Sequence, residues 1–477
     1  DRTVGGRRSR VGIVYRGMDA MGCAGCRERD ARIAELERRL AEVEARLKIN
    51  ARNSSLPPSA NPPGAPKPVV KKKSKRKRGG QPGHPPWLKQ LLPPEQVTVR
   101  KRLVPVDCHR CGAALPRSAG VGEPEPKRFQ VVELPPIAVT VTEYQAQART
   151  CRACGATTHA TLPAAVRAHS VGPRLTAALA YLSGAQGISK RGVEEIAATL
   201  FGAPVALGTV ANLEQEVSAA VAPAHAEALA AVRQADVKYA DETGWKLAGR
   251  LCWLWAAATA HIAVFVIHAR RNAEGLAALL GESIDGVLHS DRWHVYAQVP
   301  EERRQVCWAH LKRDFQKIAE RGGPGAAVGR RGLRVIRDVF AAWHAFQQGQ
   351  FTRRTLQATL DPLKRRLDQA LLRGALGDDA RVATFCEHLV ELESALWTFA
   401  HRDGVEPTNN HMERLVRRAV LWRRRSFGCT GLTGCRFVER ILTVVQTCRL
   451  RGTNSLEFLS RAVACHRLGQ LCPSLLA

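Results

Sequence analysis

The sequence predicts a multidomain α+β protein, and three observations carry that prediction. From residue 236 the chain reads as short strand-like runs joined by turns, whereas residues 173–232 are Ala-rich and helical. Upstream, two Cys-x-x-Cys pairs, Cys108/Cys111 and Cys151/Cys154, mark a small separate domain. At 477 residues the chain has room for two to four domains and at least one sizeable core.

The chain opens on Asp1 rather than Met. Residues 1–29 are expected to be an extension, its first 17 residues lying upstream of the native start, with Met18 and Met21 as candidate starts. No signal peptide is expected. Over 30–49, Ile33, Leu36, Leu40, Val43 and Leu47 recur at steps of three and four. That is a heptad seam, so the segment reads as a short coiled coil or as a solvated helix packed on its own domain. Cys23 and Cys26 just upstream are a lone pair and carry little weight.

From 50 to 94 the composition turns to Pro, Gly, Ser and Lys, which cannot bury enough apolar surface to fold alone. This linker holds Lys71, Lys72, Lys73, Lys75, Arg76, Lys77 and Arg78 with no acid among them. Such a run is either a solvated linker or an arm that tracks DNA, and the whole-chain charge of +29 favours the arm. Lys and Arg gain affinity by releasing counterions from phosphates, so nucleic acid is the expected partner, with an anionic membrane surface as the rival. No apolar run approaches the roughly 18 residues of a membrane span.

Residues 95–168 are expected to form a zinc-binding domain. Paired thiolates two residues apart on a Gly-bearing turn are the knuckle of a tetrahedral zinc site, which gives Cys108, Cys111, Cys151 and Cys154 as ligands. Val131–Leu134 and Val139–Tyr144 read as strands of a small zinc ribbon, with His109 and His159 as bystanders. The other cysteines are scattered among apolar or helical residues, as in a reducing cytoplasm. In the helical region 169–235, Ile188–Ala197 and Leu207–Leu213 flank Leu200-Phe-Gly. That phrasing fits a DNA-binding helix-turn-helix, and equally a plain helical bundle.

The domain at 236–450 is the centre of the chain. Three strand-like runs, Val237–Trp245, Leu251–Thr259 and Ile262–His268, precede a helix, Asn272–Leu280. A strand then ends at Asp291, and Arg304–His310 reads as a further strand. The order β-β-β-α-β-α-β is that of a ribonuclease-H-like domain, in which the first acid sits on the first strand and the second just after the fourth. Asp241 and Asp291 occupy those places. Glu242 is the competitor, but as Asp241's neighbour on a strand it should face away. A helical insertion over about 320–400 delays the third acid, Glu413, on a closing helix, and 451–477 form a helical tail. Around Glu413, Arg414, Arg417, Arg418, Arg423, Arg424 and Arg425 supply cations for phosphates. Hard divalent cations want oxygen ligands, so Asp241, Asp291 and Glu413 are read as holding two Mg²⁺ (or Mn²⁺) ions, with DNA as substrate.

Several further motifs complete the picture: Asn53-Ser-Ser-Leu-Pro-Pro-Ser, Gly79-Gly-Gln-Pro-Gly-His, Ala240-Asp-Glu-Thr-Gly-Trp, Ser290-Asp-Arg-Trp, Cys307-Trp-Ala-His and Thr408-Asn-Asn-His-Met-Glu-Arg, with Arg423-Arg-Arg-Ser-Phe-Gly and Arg436-Phe-Val-Glu-Arg in the tail. With the zinc knuckles, these resemble a transposase of the insertion-sequence 66 family, a bacterial group with a DDE-type core, over roughly residues 30–465. The resemblance implies Asp241, Asp291 and Glu413 as the acidic triad. It also implies that the zipper-like start, the zinc region and the helical region contact transposon ends. His310 falls in the Cys-Trp-x-His phrase and stands either as an active-site neighbour or as a histidine orienting a core strand. One departure is His411-Met412, where small residues such as Ala-Ala are expected before the Glu.

The expected function is therefore an insertion-sequence DNA transposase that binds element ends and catalyses metal-dependent cleavage and strand transfer. The alternatives are a catalytically silent DNA-binding protein derived from a transposase, and a ribonuclease-H-like nuclease. Expected partners are double-stranded terminal repeats and target DNA, further copies of the chain, and accessory proteins of the same element. The expected location is the bacterial cytoplasm, at the nucleoid and not a membrane.

Overall fold

A computed structural model describes residues 31–33, 35–37, 90–118 and 124–477. Of the heptad seam, residues 31–33 and 35–37 are helical, with Ile33 and Leu36 about half exposed. Leu40, Val43, Leu47 and the basic run Lys71–Arg78 lie outside the described residues. Among the described residues, 31–33 and 35–37 are grouped with Ala309–Glu391 in one compact unit, and the residues from 90 to Trp308 together with Leu392–Ala477 fall in another.

The second unit is a mixed α+β body around a five-stranded sheet. Its strands are β3 (Val237–Leu247), β4 (Arg250–Ala258), β5 (Ala263–His268), β6 (Val287–Ser290) and β7 (Arg304–Val306), after β1 (Ala148–Thr150) and β2 (Thr157–His159), which form a separate hairpin. The sheet order is β5-β4-β3-β6-β7, antiparallel from β3 to β5 and parallel from β3 to β7. Strand parity sorts the side chains, because successive residues point to opposite faces. Cys252, Leu254, Ala256 and Ala258 of β4 face one core with Tyr239 and Trp245 of β3, while Trp255 and Ala257 face the other with Ala240.

Helices precede and cover the sheet. A short turn, α1 (Ala164–Ala168), leads into α2 (Pro173–Gly184), α3 (Lys190–Thr199), α4 (Leu207–Ala220) and α5 (Ala222–Gln234); α6 (Ala273–Leu280) follows β5. Asn272 starts α6 by accepting the Gly275 N–H on its side chain. Leu276, Leu279 and Leu280 of α6 then seal one face of the sheet against Trp255. Between β6 and β7 the chain makes two 3₁₀ turns, His294–Gln298 and Glu301–Arg303, rather than the expected α-helix. Thirteen residues carrying Pro300 leave little room for a longer one.

Two other expectations change. The run expected as a strand from Arg304 to His310 is a strand only to Val306, and α7 (Trp308–Arg321) begins two residues later. Trp308, Leu311, Phe315 and Ile318 recur at steps of three, four and three, and that helical period wins over the local β propensity. The ribbon strands expected at Val131–Leu134 and Val139–Tyr144 are extended chain without a ladder. Pro135-Pro136 removes two N–H donors between them, and Val131, Leu134 and Val141 remain exposed.

The helical unit carries α7 onward with α8 (Ala326–Gln347), α9 (Arg353–Ala375) and α10 (Ala380–Glu391). The chain then returns through α11 (Glu393–His401), α12 (Asn410–Ser426), α13 (Leu432–Arg451) and α14 (Ser455–Arg467). Helix α13 is buried nearly all round. Phe437, Ile441, Val444 and Val445 pack into the helical bundle of α2, α4, α5 and α14, while Val438 and Leu442 pack on the sheet.

Between those two stripes, α13 completes the outer edge of β5. The N–H groups of Ala263, Phe265 and Ile267 donate to Thr447 Oγ1 at 3.1 Å, Thr443 Oγ1 at 3.1 Å and Glu439 Oε1 at 2.6 Å. Four helical residues rise about 6 Å and two strand residues about 6.6 Å, so an i, i+4, i+8 row matches alternate N–H groups. Thr443→Val keeps the volume and leaves the Phe265 N–H buried without an acceptor. It is expected to cost about 1–3 kcal/mol, read as a lower urea midpoint, while Thr443→Ser stays near wild type.

Candidate active site

Asp241 lies on β3, and Asp291 directly follows the neighbouring β6. The parallel register pairs Tyr239 with His289, and each aspartate lies two residues beyond its partner in that pair. Asp241 shares the strand parity of Tyr239 and Trp245, so it faces the side covered by α12. Glu242 faces the other side, where its carboxylate accepts from Arg271 and from the Tyr296 hydroxyl with only 2% of the side chain exposed. Arg271 is held in turn over the Trp293 ring at 4.0 Å. Glu242 is thus committed to a structural ion pair.

Helix α12 brings Glu413 to this face in its first turn. Asn409, 2% exposed, ties that helix start to β3 by donating from Nδ2 to Ala240 O at 2.8 Å, immediately before Asp241. Burial pushes the Asp241 carboxyl well above the usual range, and the negative charges of Glu242, Asp291 and, more weakly, Glu413 push the same way, against one N–H bond from Glu242. Strands lie about 4.8 Å apart. Two carboxylate charges at that spacing repel by about 3 kcal/mol at an effective dielectric of about 20, which disfavours ionisation of Asp241 beside Asp291. Asp291 Oδ1 is oriented by the Trp293 N–H at 2.8 Å.

The metal-free site carries a pH signature. A carboxyl whose folded value lies above its unfolded value favours the folded state while protonated, and that contribution is lost as pH rises through the raised folded value. Asp241→Asn is therefore expected to raise the melting temperature of the metal-free protein at neutral pH, and to narrow the gap as pH falls toward the ordinary carboxylate range.

The arginines around Glu413 divide by role. Arg414, Arg417, Arg418, Arg424 and Arg425 are exposed, with Arg417 one helical turn from Glu413. Arg423 turns inward instead and donates to Thr243 Oγ1 and Gly244 O on β3. The bulky pair before Glu413 is accommodated. Met412 is fully buried in the core under the sheet, and His411 Nε2 bonds Thr259 O at 2.9 Å while its ring meets Tyr239 edge-on. His310 lies in the first turn of α7 rather than on a strand.

Two further residues belong to the surroundings of the site and were not singled out from the sequence. Arg304 on β7 is 2% exposed, and burial lowers the guanidinium's proton affinity against the opposing pull of the Asp291 charge. Asn409 is the other, with the helix-anchoring bond described above. An Asn at a helix start is the signal that points to Asn409.

The thiol pairs form two similar turns. Cys108 O accepts the Gly112 N–H and Cys151 O the Gly155 N–H, with both glycines at φ near +72°, where a side chain is disfavoured. Backbone N–H groups of Arg110 and of Cys154 hold the Cys108 and Cys151 thiols below their ordinary range. Among the described residues the four thiols do not gather into one ligand cluster. No helix among them is long and apolar enough to cross a membrane.

Residues 24–87 match a family of unknown function. An uncharacterized protein, y4qI, of Sinorhizobium fredii is 23% identical over 245 residues, covering 46% of this chain and 44% of that protein. The chain thus spans less than half the length of this curated relative. The Transposase IS66 family model matches residues 169–436, which run from α2 through the strands bearing Asp241 and Asp291, the helical unit and α12. With more than half of its length matched, the chain belongs to the IS66 family of transposases.

Proposed function

We propose that this chain is the DNA transposase of an insertion sequence, cutting element ends and joining them to target DNA at Asp241, Asp291 and Glu413. The observation that carries the reading is the placement of Asp241 and Asp291 two residues beyond the Tyr239–His289 register pair of β3 and β6, with the Glu413 charge acting on Asp241. The sheet order β5-β4-β3-β6-β7 supports a ribonuclease-H-like arrangement of this domain. Three carboxylates offer the oxygen ligands that suit Mg²⁺ or Mn²⁺, and the raised Asp241 carboxyl releases its proton once cationic charge is present. When bound, a pair of such ions supplies activated water and charge stabilisation at the attacking and leaving oxygens.

The chain's own residues then do the rest. Asp241 and Asp291 hold their oxygens in fixed directions because each accepts a backbone N–H. Asn409 fixes the start of the helix that bears Glu413. Arg414 and Arg417 present guanidinium groups to flanking phosphates. Water displaces the 3′ oxygen of the element end, and the freed 3′-hydroxyl attacks a target phosphodiester with loss of the target's own 3′ oxygen. No protein nucleophile enters either step.

The same proposal extends to the rest of the chain. It assigns end contacts to the helix-turn-helix phrase of α3 and α4, to the basic arm Lys71–Arg78 and to a zinc domain held by Cys108, Cys111, Cys151 and Cys154. Bringing two ends together requires at least two copies. The test is strand transfer of pre-cleaved ends into a target plasmid, wild type beside Glu413→Gln, with and without Mg²⁺. Joining that needs both metal and Glu413 is expected. Shortened ends without joining would mean a hydrolytic nuclease, and shifted but uncut DNA a binding protein.

A further inference from the structure

Within the helical unit, α8 and α9 run back along each other, and a cleft of about 360 Å³ opens between them. Its walls are arginine on both sides: Arg331, Arg334 and Arg337 from α8, and Arg366 and Arg373 from α9, over a floor of Val335 and Ala370. On α9, Arg366, Gln369 and Arg373 recur at steps of three and four, so one helix face carries the row. Asp338 is the only acid lining the cleft and pairs with Arg337 at 2.9 Å. Among the described residues, Arg331, Arg334, Arg366 and Arg373 have no ion-pair partner.

Five guanidinium groups converging on one cleft repel one another, and the fold stabilises that arrangement by no acid other than Asp338. We propose that this cleft is a DNA-backbone grip, separate from the carboxylate site, that binds phosphates of a duplex without reading bases. Phosphate oxygens accept the paired N–H donors of Arg, often bidentately. Seven residues from Arg366 to Arg373 span about 10 Å of helix, and duplex DNA offers roughly one charge per 1.7 Å over such a length. An acidic protein is the weaker match, since carboxylates on a folded surface rarely hold so dense and regular a row. The choice of DNA as partner rests on the proposed function above.

The test uses the full chain in EDTA with a duplex lacking element ends, so no cleavage enters. Arg334→Gln/Arg366→Gln/Arg373→Gln is compared with Arg354→Gln/Arg365→Gln/Arg381→Gln, a matched loss of three exposed arginines outside the cleft. The plot of log affinity against log salt is expected to flatten by about 2–3 in the cleft variant and by less than about 1 in the control, at about 0.9 per lost phosphate contact. Equal flattening in both would overturn the cleft alone, and wild type that binds no duplex would overturn the DNA reading as well. Should the variants misfold, arginine modification by phenylglyoxal on wild type decides. Duplex is expected to protect Arg331, Arg334, Arg366 and Arg373, whereas protection by polyglutamate and not by duplex would hand the cleft to an acidic protein.

Discussion

Asp241→Asn is expected to reduce strand transfer by about 10³-fold or more while leaving duplex affinity within a factor of about two. Asparagine keeps the shape and the bond from the Glu242 N–H, but it removes one of the three charges offered to a metal pair. The same substitution relieves the burial of a charge, and the crowding of like charge, that lift the Asp241 carboxyl, so the inactive variant should melt higher than wild type without metal. The combination is diagnostic, because a merely structural aspartate would lose stability together with activity. Calorimetry with and without Mg²⁺ reads both halves: wild type should gain stability on adding metal, and the variant should gain little. A variant that still joins ends would remove Asp241 from the chemistry.

Gly286→Ala should give the largest loss of stability of any single methyl group added near the site. Gly286 has φ +70°, and a Cβ there would sit 2.4 Å from Asp236 O and 2.9 Å from Ala235 O. Neither oxygen can withdraw, since the Asp236 carbonyl accepts the Val287 N–H at 2.7 Å and so begins the β3–β6 ladder. Lys238, fully buried, clamps the same loop by donating to Asp285 O at 2.8 Å and Arg233 O at 2.7 Å. Left-handed strain and overpacking together are expected to cost about 2–4 kcal/mol. Gly249→Ala is the control, with φ +78° and open space around the added carbon, and should cost about 1 kcal/mol. Because Asp291 directly follows β6, Gly286→Ala should also depress strand transfer at temperatures where it remains folded.

How much of this was legible in the sequence depends on range. Alternation over β3, β4 and β5 is a local signal, and it placed the strands within a residue or two. Parity along β3 likewise separated Asp241 from Glu242. Short apolar runs are ambiguous between helix and strand, and Arg304–His310 was of that kind until the period through Ile318 is counted. Val131–Leu134 had β-branched residues but no partner to complete a ladder, which composition cannot foresee. Arg423 was one of six similar cations by sequence, and only the packing of α12 on β3 turns it inward. Asn409 acts through a bond to Ala240, 169 residues away, so the sequence around it marks a helix start and not the partner.

The row Glu439, Thr443 and Thr447 has a consequence for the life of the chain on the ribosome. Strand β5 is complete about 170 residues before Thr443 is made, so its outer edge emerges with open N–H groups. An open edge is a template for pairing with another chain. Copies interrupted by a stop codon between β5 and α13 would carry that edge permanently, and they should be lost to aggregation rather than persist as soluble fragments competing for DNA. A damaged element would thereby tend to silence itself cleanly.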